Sequence, residues 1–228
     1  MEYDGSPFSG WAEQPGRRTV AGELRAALRT TLRRDVRLVV AGRTDRGVHA
    51  LGQVVSYDGP LPSLRSVNGL LPPEIAVLSA EAAAPGFSAR YDAVSRVYRY
   101  RLHTRAARSP FELGRALWWP WPLDRRALDA CAAALVGTHD FRAFTPSGSG
   151  HRHFRRTVLE AAWAGDSFVV EADAFLRSMI RVLMGTMLEV ARGRRTIAEF
   201  VGLLSGAPRS AAGRTAPAHG LYLDSVRY

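Results

Sequence analysis

The sequence predicts an α/β (α+β) chain of two domains, residues 1–104 and 105–228, and three observations carry that reading. The first is length: 228 residues suffice for one large domain or two small ones, because soluble domains usually run about 100 to 150 residues. The second is pattern, since segments of period two are interleaved with segments of helical period in both halves. The third is a break. Arg105 to Pro122 carries Pro110, Pro120 and Pro122 and sustains no period, which puts the junction between the halves near its start.

In the first half, Thr19 is placed to cap a helix running to about Arg33, with Leu24, Leu28 and Leu32 on one face and Arg25, Arg29 and Arg33 on another. A strand from Val36 to Ala41 follows, then the Gly-rich turn GRTDRGVHALG, then a strand from Gln53 to Tyr57. Leu64 to Leu71 reads as a short helix stopped by Pro72 and Pro73, and Ile75 to Ala80 as another strand. From Arg96 to His103 the alternation is strict: Tyr98, Tyr100 and Leu102 face one way, Val97, Arg99 and Arg101 the other.

In the second half, Asp124 caps a helix with Leu128, Cys131 and Leu135 inward. Strands are expected over Thr157 to Trp163 and Ser167 to Asp173, and a helix from about Arg177 to Ala191. A last helix starts at Thr196, where Thr196 and Glu199 fit a capping box and Ile197, Phe200, Val201 and Leu204 form the expected buried stripe. Leu221 to Tyr228 closes as a strand, and Thr145 to Arg156 reads as a mobile basic loop.

Composition narrows the function. An apolar share of 46% with 9% aromatics fills such cores, and no run of about 18 apolar residues exists to span a bilayer. The opening MEYDGSPFSGW has neither the basic nor the apolar region of a secretory signal, and the single Cys131 makes no internal disulfide; both point to the cytoplasm and away from any membrane. A net charge of +10 suits a polyanionic partner, because basic side chains release counterions condensed on nucleic-acid phosphates. All 31 Lys+Arg residues are arginine. The absence of lysine excludes a Walker A phosphate loop, a Schiff base and a lysine general base, while arginine still forks onto phosphate and stacks on bases. A GC-rich genome gives the same bias.

Arg43, Thr44, Asp45, Arg46 and His49 crowd the turn bracketed by Gly42, Gly47 and Gly52. A strand-to-strand loop of this kind presents one carboxylate among cations; an Asx-turn bonded to local amides is the competing reading. Trp118, Trp119 and Trp121 could stack on bases, or fill a core or domain interface. His151, His153 and the distant Cys131 make no metal site, no HExxH or paired CxxC occurs, and no GxSxG elbow is present.

The stretch AGRTDRGVHALGQVV resembles the active-site motif of the TruA family of pseudouridine synthases, and the resemblance runs almost end to end. EYDGSPFSGW, VNGLLPPEIAV, SRVYRYRL, GTHDFRAF, AFLRSMIRVLMGTMLEV and HGLYL are similar, in order, to segments of that family. The resemblance implies two ferredoxin-like or RRM-like subdomains forming an extended mixed sheet with a central active-site cleft. It implies an isomerase that converts uridines to pseudouridine at positions 38, 39 and 40 of the tRNA anticodon stem-loop, as a homodimer and with no cofactor or metal. Asp45 matches the family's catalytic nucleophile, Tyr98 the tyrosine that stacks on the target uracil, Arg181 the arginine that pairs with the aspartate, and Arg43 a basic residue near the flipped nucleotide. Independently, Arg181 interrupts a largely apolar helix, and a buried cation needs a carboxylate partner. Arg177, Arg181 and Gly185 also share one face, which leaves a solvated arginine open.

Three departures stand out. Only Met1 and Glu2 precede Tyr3 where the family has an apolar strand, so either the given start is too late or the N-terminal sheet is weakened; Ala12 stands where glutamine is common, and Asp173 where asparagine is usual. Two other classes remain open: an RNA-binding module, which would bind without needing Asp45, and a hydrolase acting on a nucleoside or sugar, which would need a second carboxylate that the motif lacks.

Overall fold

A computed structural model describes residues 1–228, and the chain divides into two units, Met1–Arg96 with Tyr222–Tyr228, and Val97–Leu221. The architecture is mixed α/β, as the sequence predicts, with five α-helices among short and long strands.

In the first unit, α1 (Val20–Leu32) begins where Thr19 accepts a hydrogen bond from the Gly22 amide and ends at Arg33 in the left-handed region, φ 54°. Its Val20, Leu24 and Leu28 are buried, so the amphipathic stripe is what docks it. Helix α2 (Leu64–Leu70) is capped by Ser63 and buries Val67. The strands are short: β1 (Glu2–Tyr3), β2 (Val39–Val40), β3 (His49–Ala50), β4 (Val55–Ser56) and β5 (Ile75–Ala76). Strand β1 lies antiparallel between β5 and β3, and β3 runs parallel to the final strand β11 (Leu221–Arg227), with His49 opposite Tyr222. Strands β2 and β4 form a separate antiparallel pair.

Two expectations need correction here. The strands foreseen over 36–41, 53–57 and 75–80 each narrow to two residues, although Ala41 N still donates to Val54 O at 3.0 Å. The Gly-rich turn contains a strand of its own, β3, which the glycines disguise. Strand β1 is only two residues long, and just before it Met1 and Gln53 exchange backbone hydrogen bonds of 2.9 Å.

In the second unit, β6 (Ser95–His103) carries the predicted alternation, with Tyr98, Tyr100 and Leu102 buried and Arg99 and Arg101 partly exposed. Val97, foreseen on the arginine face, is buried as well. The order is β6, β10 (Ser167–Ala172), β9 (Arg155–Ala164), β8 (Gly137–Asp140), with β7 (Leu117–Trp118) parallel beside β6. Strands β9 and β10 form a hairpin turning at Gly165, φ 58°. Helices α3 (Arg125–Leu135), α4 (Met179–Ala191) and α5 (Ile197–Gly202) pack on one another, and α3 lies on β9. Leu128, Cys131 and Leu135 point inward as expected. Helix α4 buries ten of its thirteen residues. At roughly 1.5–3 kcal/mol for each large apolar side chain, it dominates the core of this unit.

The capping box at α5 forms with both of its bonds, Glu199 N to Thr196 Oγ1 and Thr196 N to Glu199 Oε2. Its buried stripe differs from expectation: Phe200, Leu203 and Leu204 are buried while Ile197 and Val201 stay exposed, because a helix of six residues turns only one narrow face inward.

Candidate active site

The Asp45 loop starts at β2 and runs through β3, and glycine packing fixes its course. Asp45 to Val48 is a tight turn closed by Val48 N donating to Asp45 O at 3.1 Å, with Gly47 at φ 76° in its third position. A positive φ at that position marks a type II turn and is the left-handed region that favours glycine.

The N-terminal segment braces the loop from one side. Trp11 N donates to Thr44 O at 3.0 Å. At Gly10, φ 100°, a Cβ would stand 3.0 Å from Thr44 O and 3.2 Å from Arg46 N. At Gly5 a Cβ would stand 1.9 Å from Val48 O, so no side chain fits. Gly5 N donates to His49 Nδ1 at 3.1 Å, and the buried His49 ring stacks on Tyr222 at 4.6 Å.

Beneath the loop lies a buried polar network. The Tyr3 and Thr44 hydroxyls are 2.8 Å apart, and Gln53 Nε2 donates to Tyr3 Oη at 3.2 Å and to Gly42 O at 2.8 Å. Burial pushes the Tyr3 phenol up to about 12, against the pull of its bonds to Thr44 and Gln53. Arg96 holds the loop's start, donating from Nε and Nη2 to Ala41 O at 3.2 and 3.0 Å. With Thr44 turned inward, its neighbour Arg43 is exposed and Asp45 is half-buried.

Tyr98 and Arg181 belong to the second unit. Tyr98 is buried on β6, with Phe175 edge-on at 5.1 Å and 76°. Arg181 is half-buried on α4 and is fixed at its base: its Nε donates to Ala216 O at 2.9 Å, and its carbonyl accepts from Ala216 N at 2.9 Å. The segment 213–220 that supplies Ala216 is strapped across α4. A Cβ at Gly185 would stand 1.7 Å from Arg214 O, Gly213 N donates to Thr186 Oγ1 at 3.0 Å, and Tyr100 Oη donates to Pro217 O at 2.8 Å. Burial raises the Tyr100 phenol well above its ordinary value, and the nearby Arg181 works against that rise.

The structure thus sets Arg43 and Asp45 on one clamped loop, and Tyr98 and Arg181 on the strand and helix of the other unit. Sequence reasoning missed Tyr3, Thr44, Gln53 and Gly10 as supports of the loop, and Ala216 as the anchor of Arg181. The polar Gln53 next to the apolar Val54 and Val55 was the one available signal. A groove of about 520 Å³ between α1 and α2, lined by Thr30, Arg65 and Leu70, contains none of these side chains.

Comparison with known proteins adds independent information. Residues 131–228 match the family model described as tRNA pseudouridine synthase. Over its full length the chain is similar to the tRNA pseudouridine synthase A of Bacillus pumilus, at 39% identity and covering 97% of that protein. It is similar in the same way to that of Frankia casuarinae, at 44% identity and 87% coverage, and to that of Moorella thermoacetica, at 41% and 97%.

Proposed function

This chain belongs to the tRNA pseudouridine synthase A family, an isomerase family acting on tRNA, and on that premise we propose that Asp45 is the catalytic nucleophile converting uridines 38, 39 and 40 of the anticodon stem-loop to pseudouridine. The reaction breaks the bond from N1 to C1′ and rejoins the base to the sugar through C5. It is neither a redox step nor a hydrolysis, so it needs a placed carboxylate and a base held out of the stack, not a cofactor.

One observation carries the reading: the Asp45 turn is immobilised on both sides, by Gly5 and Gly10 against its backbone and by Tyr3, Thr44 and Gln53 beneath it. Catalysis by positioning needs this rigidity, since a misplacement of about 1 Å can cost a factor on the order of a hundred in rate. In this reading Tyr98 stacks on the extruded uracil, offsetting part of an unstacking cost of a few kcal/mol, and is placed to exchange the C5 proton. Arg181 supplies the cation that keeps the carboxylate charged when a bound base excludes water. Arg43, exposed beside Asp45, takes the phosphate of the flipped nucleotide.

The proposal also includes folding domains divided at residues 104 and 105, a homodimer that holds tRNA across both subunits, and a cytoplasmic location. No helix is long and apolar enough to cross a membrane. A solution mass equal to one chain would remove the dimer from the proposal.

The decisive experiment is tritium release from C5-labelled uridine in a tRNA transcript. The protein should release tritium, and release should vanish when uridines 38 to 40 are replaced by cytidine. Asp45→Asn keeps the shape and removes the charge, so turnover should disappear while tRNA binding persists. Release by Asp45→Asn at a rate near the parent's would show that Asp45 is not the catalyst.

A further inference from the structure

We propose that Trp119, Trp121 and Arg192 form a stacking platform for an unpaired RNA nucleotide, separate from the residues assigned to the reaction. The inference rests on the reading of this protein as an RNA-binding enzyme, but its observations are its own.

The sequence WWPWP builds the platform. Strand β7 ends at Trp118, and the last backbone bond of that edge is Trp119 N to His103 O at 2.8 Å. Pro120 and Pro122 have no N–H to extend the ladder, so the chain leaves the strand. Trp121 emerges 46% exposed, the one tryptophan that the fold leaves so open. The Trp119 and Trp121 rings meet edge-on, 5.0 Å apart at 74°. Arg192, the exposed residue that caps the end of α4, brings its guanidinium 5.3 Å from the Trp121 centroid and 6.0 Å from that of Trp119.

Two features point to a ligand. The Trp119 indole Nε1 is buried without a hydrogen-bond partner, a cost a protein does not usually leave unpaid. Against Trp121, a hollow of about 330 Å³ is lined by Thr104, Ala106, Pro120, Pro122 and Arg125.

Charge complementarity selects the occupant. Arg105, Arg108 and Arg126 are exposed on the flanking segments, and Arg108 lies 4.5 Å over the Trp118 ring. The acids close by are already engaged: Asp166 is held by Arg125 and Thr104, and the Asp124 side chain caps α3. An acidic peptide would satisfy the arginines but not the ring faces, and a lipid tail would satisfy the rings but not the arginines. A nucleotide has both a π-face for indole and a phosphate for guanidinium. The bases of a duplex are already stacked, so the platform takes a single-stranded nucleotide.

Intrinsic tryptophan fluorescence of the full-length protein tests this, with a short single-stranded oligoribonucleotide and a blunt duplex of equal length as probes. The single strand should quench the signal at lower concentration than the duplex. Trp121→Ala and Arg192→Ala should each weaken that binding about tenfold, and Trp121→Phe, which keeps a ring, should restore most of it. With tRNA as substrate, Trp121→Ala should raise KM by a similar factor at unchanged kcat. Quenching by the oligonucleotide without any tritium release from tRNA would retain the platform and remove the proposed reaction. Equal binding by parent and Trp121→Ala would overturn the platform. So would a surface that self-associates with rising protein concentration and loses this in Trp121→Ala, since the occupant would then be a second copy of the chain.

Discussion

The Asp45 loop and the Arg181 helix are held by the same device in opposite surroundings. At each, a glycine lets a neighbouring backbone come closer than any side chain allows: Gly5 against the Asp45 turn, Gly185 against the strap at Arg214. Around Arg181 the frame is α4, thirteen residues long and mostly buried. Around Asp45 the frame is made of two-residue strands and a polar network. Dense apolar packing resists displacement by making it costly everywhere at once. A loop pinned at a few points can shift locally while the rest of its unit stays folded. A helix-borne group is thus secured by stability, whereas a loop-borne group is secured by geometry.

A matched pair of substitutions separates the two frames. Gly185→Ala places a methyl 1.7 Å from the Arg214 carbonyl, inside the densest part of the molecule. The expected cost is about 3 kcal/mol, or a fall of roughly 10 °C in Tm. Gly10→Ala introduces a strained φ of 100° and pushes on Thr44 O and Arg46 N. Its stability cost should be smaller, about 1–2 kcal/mol, but turnover should drop about a hundredfold because the carboxylate moves. Melting curves and tritium release on both variants decide the matter. If Gly10→Ala loses stability and activity in step, or Gly185→Ala melts like the parent, the two frames do not differ in the way argued.

The same contrast explains what the sequence made legible. Period and capping fixed α1, α3 and the start of α5, because each rests on local residues: Thr19 with Gly22, Asp124 with Ala127, Thr196 with Glu199. The alternation of β6 was equally plain. What escaped was non-local. Strand β3 is two residues long, and its partner Tyr222 lies far along the chain, so no window around His49 reveals it. Strands β7 and β8 hide among prolines and beside a helix end for the same reason. For the site, spacing alone left Asp45 open between a structural turn and a functional carboxylate, and the family resemblance supplied the assignment. Neither source exposed the clamps, because Tyr3, Gly10 and Thr44 meet only in three dimensions.

Removing the Tyr3 hydroxyl has the mildest effect and isolates the polar network under the loop. In Tyr3→Phe the ring stays and the hydroxyl between Thr44 and Gln53 is lost, while Gln53 keeps its bond to Gly42 O. At neutral pH the loss should be about 1 kcal/mol, the usual net worth of one buried hydrogen bond. The alkaline range is more telling. Burial holds the Tyr3 phenol at about 12 in the folded protein, against an ordinary value of 10.0. Below pH 10 both states keep the proton and the hydroxyl's contribution is whole. Between pH 10 and 12 the unfolded chain releases the proton and the folded one retains it, so stability falls with rising pH, by on the order of 2–3 kcal/mol across that window. Tyr3→Phe removes this component, and its urea midpoint should therefore fall less steeply than the parent's between pH 10 and 12. Some slope should remain, because Tyr100 and Tyr228 are also raised by burial. Parallel curves for parent and variant would mean that the Tyr3 hydroxyl is not sealed beneath Thr44, and the Asp45 loop would then be held by its glycine contacts alone.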